Sequence, residues 1–178
     1  MRRRDLLRTL PAAVATAMAG CNSLDAMTSD GDAEREAVTV ETLDAPGSQA
    51  GTATVPADEV SFVEFFATTC SVCAAQMSTL AEAYRRAGDE VQFLSVTSEP
   101  VGYTVTKGEV ASWWDDHGGA WPVAVDDGTA LSQRYDATSV PKAVVVRPDG
   151  TVAWSHTGPV EAADIVDAIR EATEGDRS

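Results

Sequence analysis

Cysteine, lysine and histidine are all scarce in these 178 residues. The three cysteines, Cys21, Cys70 and Cys73, are an odd number, so an exported chain must account for one leftover thiol. Only Lys107 and Lys142 supply lysine, and the whole chain sets 13 basic side chains against 28 acidic ones, a charge of −15. A surface of that sign repels phosphate backbones and anionic headgroups, which excludes nucleic acid as a partner. The two histidines, His117 and His156, lack ligand spacing to each other, and no second C-x-x-C exists to complete a zinc site. Aromatics are few, at 6%, and nothing repeats at a fixed period. Long apolar runs are missing too. The best candidate, residues 10–20, is alanine-rich, contains Pro11 and is far too short to span a bilayer.

That short run has another use. Arg2, Arg3, Arg4 and Arg8 precede it and small residues close it, the layout of a signal peptide over residues 1–20. An arginine pair ahead of a weakly apolar stretch resembles a twin-arginine signal. Met18-Ala19-Gly20-Cys21 resembles a lipobox, with Met18 where leucine is usual, so Cys21 is expected to carry a lipid and take no part in redox chemistry. Residues 21–37 are polar and acidic without apolar periodicity, a composition that cannot bury enough surface to fold and suits a self-repelling tether. The expected location is the outer face of the cell membrane, with the membrane itself contacted only through the lipid.

A single folded domain is expected over residues 38–175. Residues 38–43 alternate apolar and polar, and a turn at residues 45–48 leads to a second short strand at 51–55, together a hairpin. Residues 60–66 form a dense apolar run with one acid, Glu64, as in a buried central strand. Apolar positions then recur at helical spacing over 71–87, and Gly88 stops them. Strands at 91–97, 122–125, 142–147 and 151–156 alternate with helices at 109–117, 130–135 and 161–173. That order gives an α/β fold, a central mixed sheet with helices on both faces and a hairpin at its start.

Cys70-Ser71-Val72-Cys73 sits where the buried strand gives way to the first helix. Unpaired N–H groups and the positive end of the helix dipole face a thiolate there, which favours the charged form. Cys73, one turn on, is placed to attack a mixed disulfide formed at Cys70. The residues therefore point to thiol–disulfide exchange, with the redox-active Cys70–Cys73 disulfide as the only cofactor and no metal.

Residues 65–73, Phe-Phe-Ala-Thr-Thr-Cys-Ser-Val-Cys, resemble the thioredoxin active-site segment, especially the membrane-anchored TlpA and ResA branch, usually F-W-A-x-W-C-x-x-C. Phe66 and Thr69 replace its tryptophans; Thr69 makes the rim beside the nucleophile more polar and is expected to affect partner choice. Ser139-Val140-Pro141-Lys142 resembles the family's second signature, a cis-proline opening a central strand. The resemblance extends over roughly residues 38–173. It implies that Pro141 packs against the cysteines, that the Val140 backbone pairs with substrate, and that Glu64 is the buried acid serving Cys73. It also implies action on disulfides or thiols of exported proteins, as a reductant and as in cytochrome c maturation, in exchange with a membrane electron donor or acceptor. Nothing in the sequence suggests an obligate oligomer, so a monomer is expected. Trp113, Trp114 and Trp121 are expected to pack, and both histidines to be satisfied rather than ligating.

Two alternatives share the fold. A copper chaperone of the SCO type would use Cys70, Cys73 and His156, though its cysteine loop is one residue longer. A peroxiredoxin would need proline and Thr or Ser where Val63 and Ala67 stand.

Without residues 1–20 the chain carries 27 acids and 9 bases, −18. Their even spread fits a solvated surface adapted to high salt, where screening removes most self-repulsion. Urea unfolding should accordingly show greater stability in molar salt than at low ionic strength; equal stability in both would contradict that adaptation.

Overall fold

The computed structural model describes residues 36–176. The expected signal segment, Cys21 and nearly all of the expected tether lie outside the described residues. Within them the chain forms β1 (Val38–Thr42), β2 (Gly51–Val55), β3 (Ser61–Phe66), α1 (Ser71–Ala87), β4 (Gln92–Thr97), α2 (Lys107–Asp116), β5 (Val123–Val125), α3 (Ala130–Arg134), β6 (Lys142–Val146), β7 (Val152–Thr157) and α4 (Ala162–Asp176). The expected elements all form, within a few residues at their ends.

One seven-stranded sheet holds them together, in the order β2-β1-β5-β4-β3-β6-β7. β3, β4 and β5 run parallel, and the β1–β2 and β6–β7 pairs are antiparallel. The sheet is therefore mixed. The opening hairpin is not a separate appendage, because β1 also pairs with β5 and extends the sheet.

β3 is the spine, and all six of its residues are buried. Side chains alternate across a strand. Phe62 and Phe66 enter one core with Cys73, Met77, Leu80, Trp114, Trp121 and Ile165, while Val63 and Phe65 enter another with Leu94, Val96, Leu131 and Val144. Helices α1, α2 and α4 cover the first face and the short α3 contributes Leu131 to the second. By the same alternation Glu64 belongs to the first face, under α1.

The tryptophans pack as expected, with one qualification. Trp114 and Trp121 are fully buried and meet edge to face, ring centroids 4.7 Å apart. Each indole N–H finds an acceptor, Pro46 O at 3.2 Å and Ser95 Oγ at 3.0 Å respectively. Burying side chains of this size stabilises a fold by about 1.5–3 kcal/mol each. Gly119 permits the arrangement, since a Cβ there would run into the Trp114 indole. Trp113 is only partly buried, stacked between Phe66 and His117 at 5.1 and 4.3 Å. Among the described residues no helix is long and apolar enough to cross a membrane.

Candidate active site

The site forms where β3 ends. Parallel strands β3 and β4 need a crossover, so the chain must leave the sheet at Phe66 and return along it as α1. The turn between them is pinned from a distance. Glu99, beyond β4, accepts from the Thr68 backbone N–H at 2.8 Å and from the Thr68 hydroxyl at 2.9 Å. Cys70 N–H closes the turn on Ala67 O at 3.0 Å.

Cys70 is then the N-cap of α1, and its Sγ accepts from the Cys73 N–H at 3.0 Å. A helix leaves its first N–H groups without internal partners. Here a sulfur satisfies one of them, at the end where the dipole favours negative charge. Cys70 and Cys73 are joined as a disulfide, with Cα atoms 5.2 Å apart. Their surroundings differ sharply. Cys70 is half-buried at the rim, whereas Cys73 is fully buried under α1. An attacking thiol must be reached by a partner, and a resolving thiol needs only to reach its neighbour.

The other sequence-predicted residues fall around this pair. The Val140–Pro141 peptide is cis, and Val140 O lies 4.0 Å from Cys70 Sγ, bringing the start of β6 against the cysteines. Pro141 is buried, Val140 half-buried and Thr69 exposed beside Cys70. Thr69 and Trp113 line an open groove of about 550 Å³ with Thr68, Glu99, Val105 and Glu109. Val72, between the cysteines, is 44% exposed, which leaves an apolar contact on the rim.

Glu64 is almost completely buried, and neither carboxyl oxygen has a hydrogen-bond partner. Desolvation pushes its pKa from 4.5 up to about 8. The Ser95 hydroxyl, on the register-paired residue of β4, exerts a weaker opposing pull without closing a hydrogen bond. A carboxyl in this state is largely protonated at neutral pH, yet close enough to ionisation to trade protons with a thiol.

His156 is not gathered into the site. It lies on β7, two strands from β3, and its ring Nε2 bonds Pro159 O at 3.0 Å. His117 is likewise engaged, its Nδ1 2.7 Å from Trp113 O. Among the described residues no group of three or more His, Cys, Asp or Glu is placed to hold a metal ion.

Two residues of this neighbourhood escaped sequence reasoning. Glu99 acts across 31 positions, and nothing local marks it. Gln76 is different. It is buried, 4% exposed, on the same helix face as Cys73, Met77, Leu80 and Ala83, and both of its side-chain polar atoms lack partners. A polar residue inside an apolar helical stripe is a visible signal.

Comparison with known proteins agrees with this geometry. The Redoxin family model matches residues 30–169. The chain belongs to the Redoxin family. Its 34% identity over 125 residues to the mercury resistance operon ORF3 protein of Streptomyces lividans covers 68% of this chain and 64% of that relative's length. Solved structures share the fold. StoA from Bacillus subtilis aligns with a TM-score of 0.64 at 15% identity, over 75% of this chain and 96% of that one. The exposed lipoprotein thioredoxin Etrx1 of Streptococcus pneumoniae gives 0.60 at 22%, over 73% and 98%. A secreted Mycobacterium tuberculosis disulfide oxidoreductase homologous to E. coli DsbE gives 0.60 at 16%, over 79% and 98%. The fold of this Redoxin-family chain is thus thioredoxin-like, as the active-site segment implied.

Burial of Glu64 has a signed consequence for stability. Below about pH 4.5 the carboxyl is protonated in both folded and unfolded chains and contributes nothing. As pH rises from there to about 8 the unfolded chain ionises first, so stability falls, and beyond about 8 the loss levels off. Urea unfolding of the oxidised protein at pH 5 and pH 8.5 should show Glu64→Gln gaining on the wild type by a few kcal/mol, on the order of 3, between the two pH values. Parallel pH dependences would show that Glu64 is solvated.

Proposed function

We propose that the protein is a thiol–disulfide oxidoreductase that reduces disulfides in exported proteins from the outer face of the cell membrane. The observation that carries the chemistry is the asymmetric pair, a reachable Cys70 capping α1 and a buried Cys73 bonded to it. In the reduced protein the Cys70 thiolate attacks a partner disulfide, forming a mixed disulfide and expelling one partner thiolate. Cys73 then attacks Cys70 Sγ, its proton passes to ionised Glu64, and the second partner thiolate leaves. Two electrons have moved from the cysteine pair to the partner, and Cys70–Cys73 is again a disulfide. A membrane electron donor has to reduce it for the next cycle.

The direction of flow follows the TlpA and ResA resemblance, in which such domains reduce cysteines awaiting haem or copper. A base in the same buried layer as Cys73 suits that direction, because release of reduced partner depends on Cys73 losing its proton. The cis Val140–Pro141 peptide beside the sulfur supports a substrate-pairing edge there, with Thr69 and Val72 tuning which partners fit. Export and anchoring rest on the sequence around Arg2, Arg3 and Cys21, and two structural neighbours are described as an exposed lipoprotein and a secreted protein. Partners are therefore cysteine-bearing exported proteins, met by a monomer tethered through Cys21. The copper reading gains no support, since the His156 ring bonds Pro159 O and, among the described residues, is not grouped with the cysteines as a metal site.

Two serine variants test the two parts. Cys73→Ser should trap a persistent mixed disulfide on Cys70, seen by non-reducing electrophoresis, and lower disulfide-reduction turnover on the order of 10³-fold. Cys21→Ser should move the protein from the membrane to the soluble fraction. Wild-type turnover without trapped adduct in the first, or unchanged membrane association in the second, contradicts the corresponding part.

A further inference from the structure

Glu64 and Gln76 are both buried, and all four of their side-chain polar atoms lack partners. Each orphan amide or carboxyl in an apolar layer is costly, so two on one face call for a joint explanation. They occupy the same face of the sheet, Glu64 on β3 beside Phe62 and Phe66, Gln76 on α1 beside Cys73 and Met77. Depth along the layer matches as well. α1 runs back over β3 from the end that carries Cys70, so Gln76 lies roughly 9 Å into the helix and Glu64 roughly 7 Å below the strand's last residue. Cys73 lies between the helix start and Gln76.

We propose that Gln76 is the positioning residue of Glu64: the two side chains are not bonded to each other in the disulfide form, and in the reduced protein the carboxamide becomes the hydrogen-bond partner of the carboxyl in both protonation states while the Cys73 proton is transferred. The inference rests on the oxidoreductase reading. A carboxamide suits this task because it carries a donor and an acceptor without a charge. Gln76 Oε1 accepts from the protonated carboxyl, and Nε2–H donates to the carboxylate. A lysine or arginine would fix Glu64 in its ionised form, and an aliphatic residue would leave the carboxylate unsupported. Of the other groups on this face, the Ser95 hydroxyl of β4 is the one that also pulls on Glu64, weakly, while its oxygen accepts from Trp121, and it lacks the paired amide donor and carbonyl acceptor of a carboxamide. β4 otherwise presents Phe93 and Thr97, whose hydroxyl donates to Glu99; β6 presents Ala143; α4 presents Ile165, Ile169 and Ala172. The titratable groups on this face are Cys70, Cys73, Tyr84 of α1, whose ring packs on Phe93 and Trp121, and, two strands from β3, His156, which is bonded to Pro159.

The step can be read alone by mixing the reduced full-length protein with dithionitrobenzoate. Attack by Cys70 releases one thionitrobenzoate, and attack by Cys73 on the resulting mixed disulfide releases the second. The rate of the second release, followed from pH 5 to 9.5, should have a midpoint about one pH unit higher in Gln76→Leu, as expected for one lost charge-assisted hydrogen bond. Below the midpoint the rate should fall about tenfold, with the high-pH plateau and the first release unchanged. Gln76→Asn, which keeps a carboxamide, should recover part of the shift, and Gln76→Leu should add nothing in a Glu64→Gln background. If Gln76→Leu does not fold, Gln76→Met serves the same purpose. A wild-type midpoint in the folded variant overturns the role of Gln76. A wild-type midpoint in Glu64→Gln overturns Glu64 as proton acceptor instead, so the two failures are distinct.

Discussion

Much of this structure depends on one short contact, the Cys73 N–H donating to Cys70 Sγ at the start of α1. It makes Cys70 part of the helix whose N-terminal dipole favours a negative charge on its sulfur. The sulfur can cap α1 only if β3 delivers the chain to that point and the Thr68 turn holds it, which Glu99 ensures from beyond β4. It can react only if the rim stays open on the Val72 side, and the cysteine one turn later is carried into the core by the same helix. Fold and reactivity are thus set by a common geometry rather than by a loop laid over a finished scaffold.

The cost of that geometry lies directly beneath. A protein interior leaves few buried polar atoms without partners. This one carries Glu64 and Gln76 in the layer between α1 and the sheet, with none of their four side-chain polar atoms paired. Apolar residues at both positions would give a more stable domain. Retaining a carboxyl near pKa 8 there makes sense where a buried thiol has to lose its proton on demand. The surrounding packing absorbs the penalty, notably the Phe62–Phe93 and Trp114–Trp121 contacts, at 4.4 and 4.7 Å between ring centroids.

Much of the fold was legible because its signals are local. The apolar run of β3, the helical stripe ending at Gly88 and the β-branched run of β6 each specify an element within one window, and C-x-x-C at a strand–helix junction specifies a chemistry. The pairing of β1 with β5 was not legible, since strand order depends on which edges the packed helices leave open. Glu99 was invisible for a similar reason, as its bonds to Thr68 bridge elements far apart in the chain. Gln76 could have been noticed as a polar residue among Cys73, Met77, Leu80 and Ala83, but a helical wheel does not tell whether such a residue reaches solvent. His156 shows the reverse, a plausible sequence distance from the cysteines that the β6–β7 hairpin turns into separation.

The central claim is that Cys70 and Cys73 are a reversible, reducing couple. Equilibrating the protein with glutathione or dithiothreitol buffers, and scoring the pair by thiol labelling and mass spectrometry, measures this directly. A midpoint near about −250 mV or below is the expected result for a reductant. A value near about −120 mV would make the protein a disulfide donor. The absence of any reversible disulfide between the two residues would contradict the account outright.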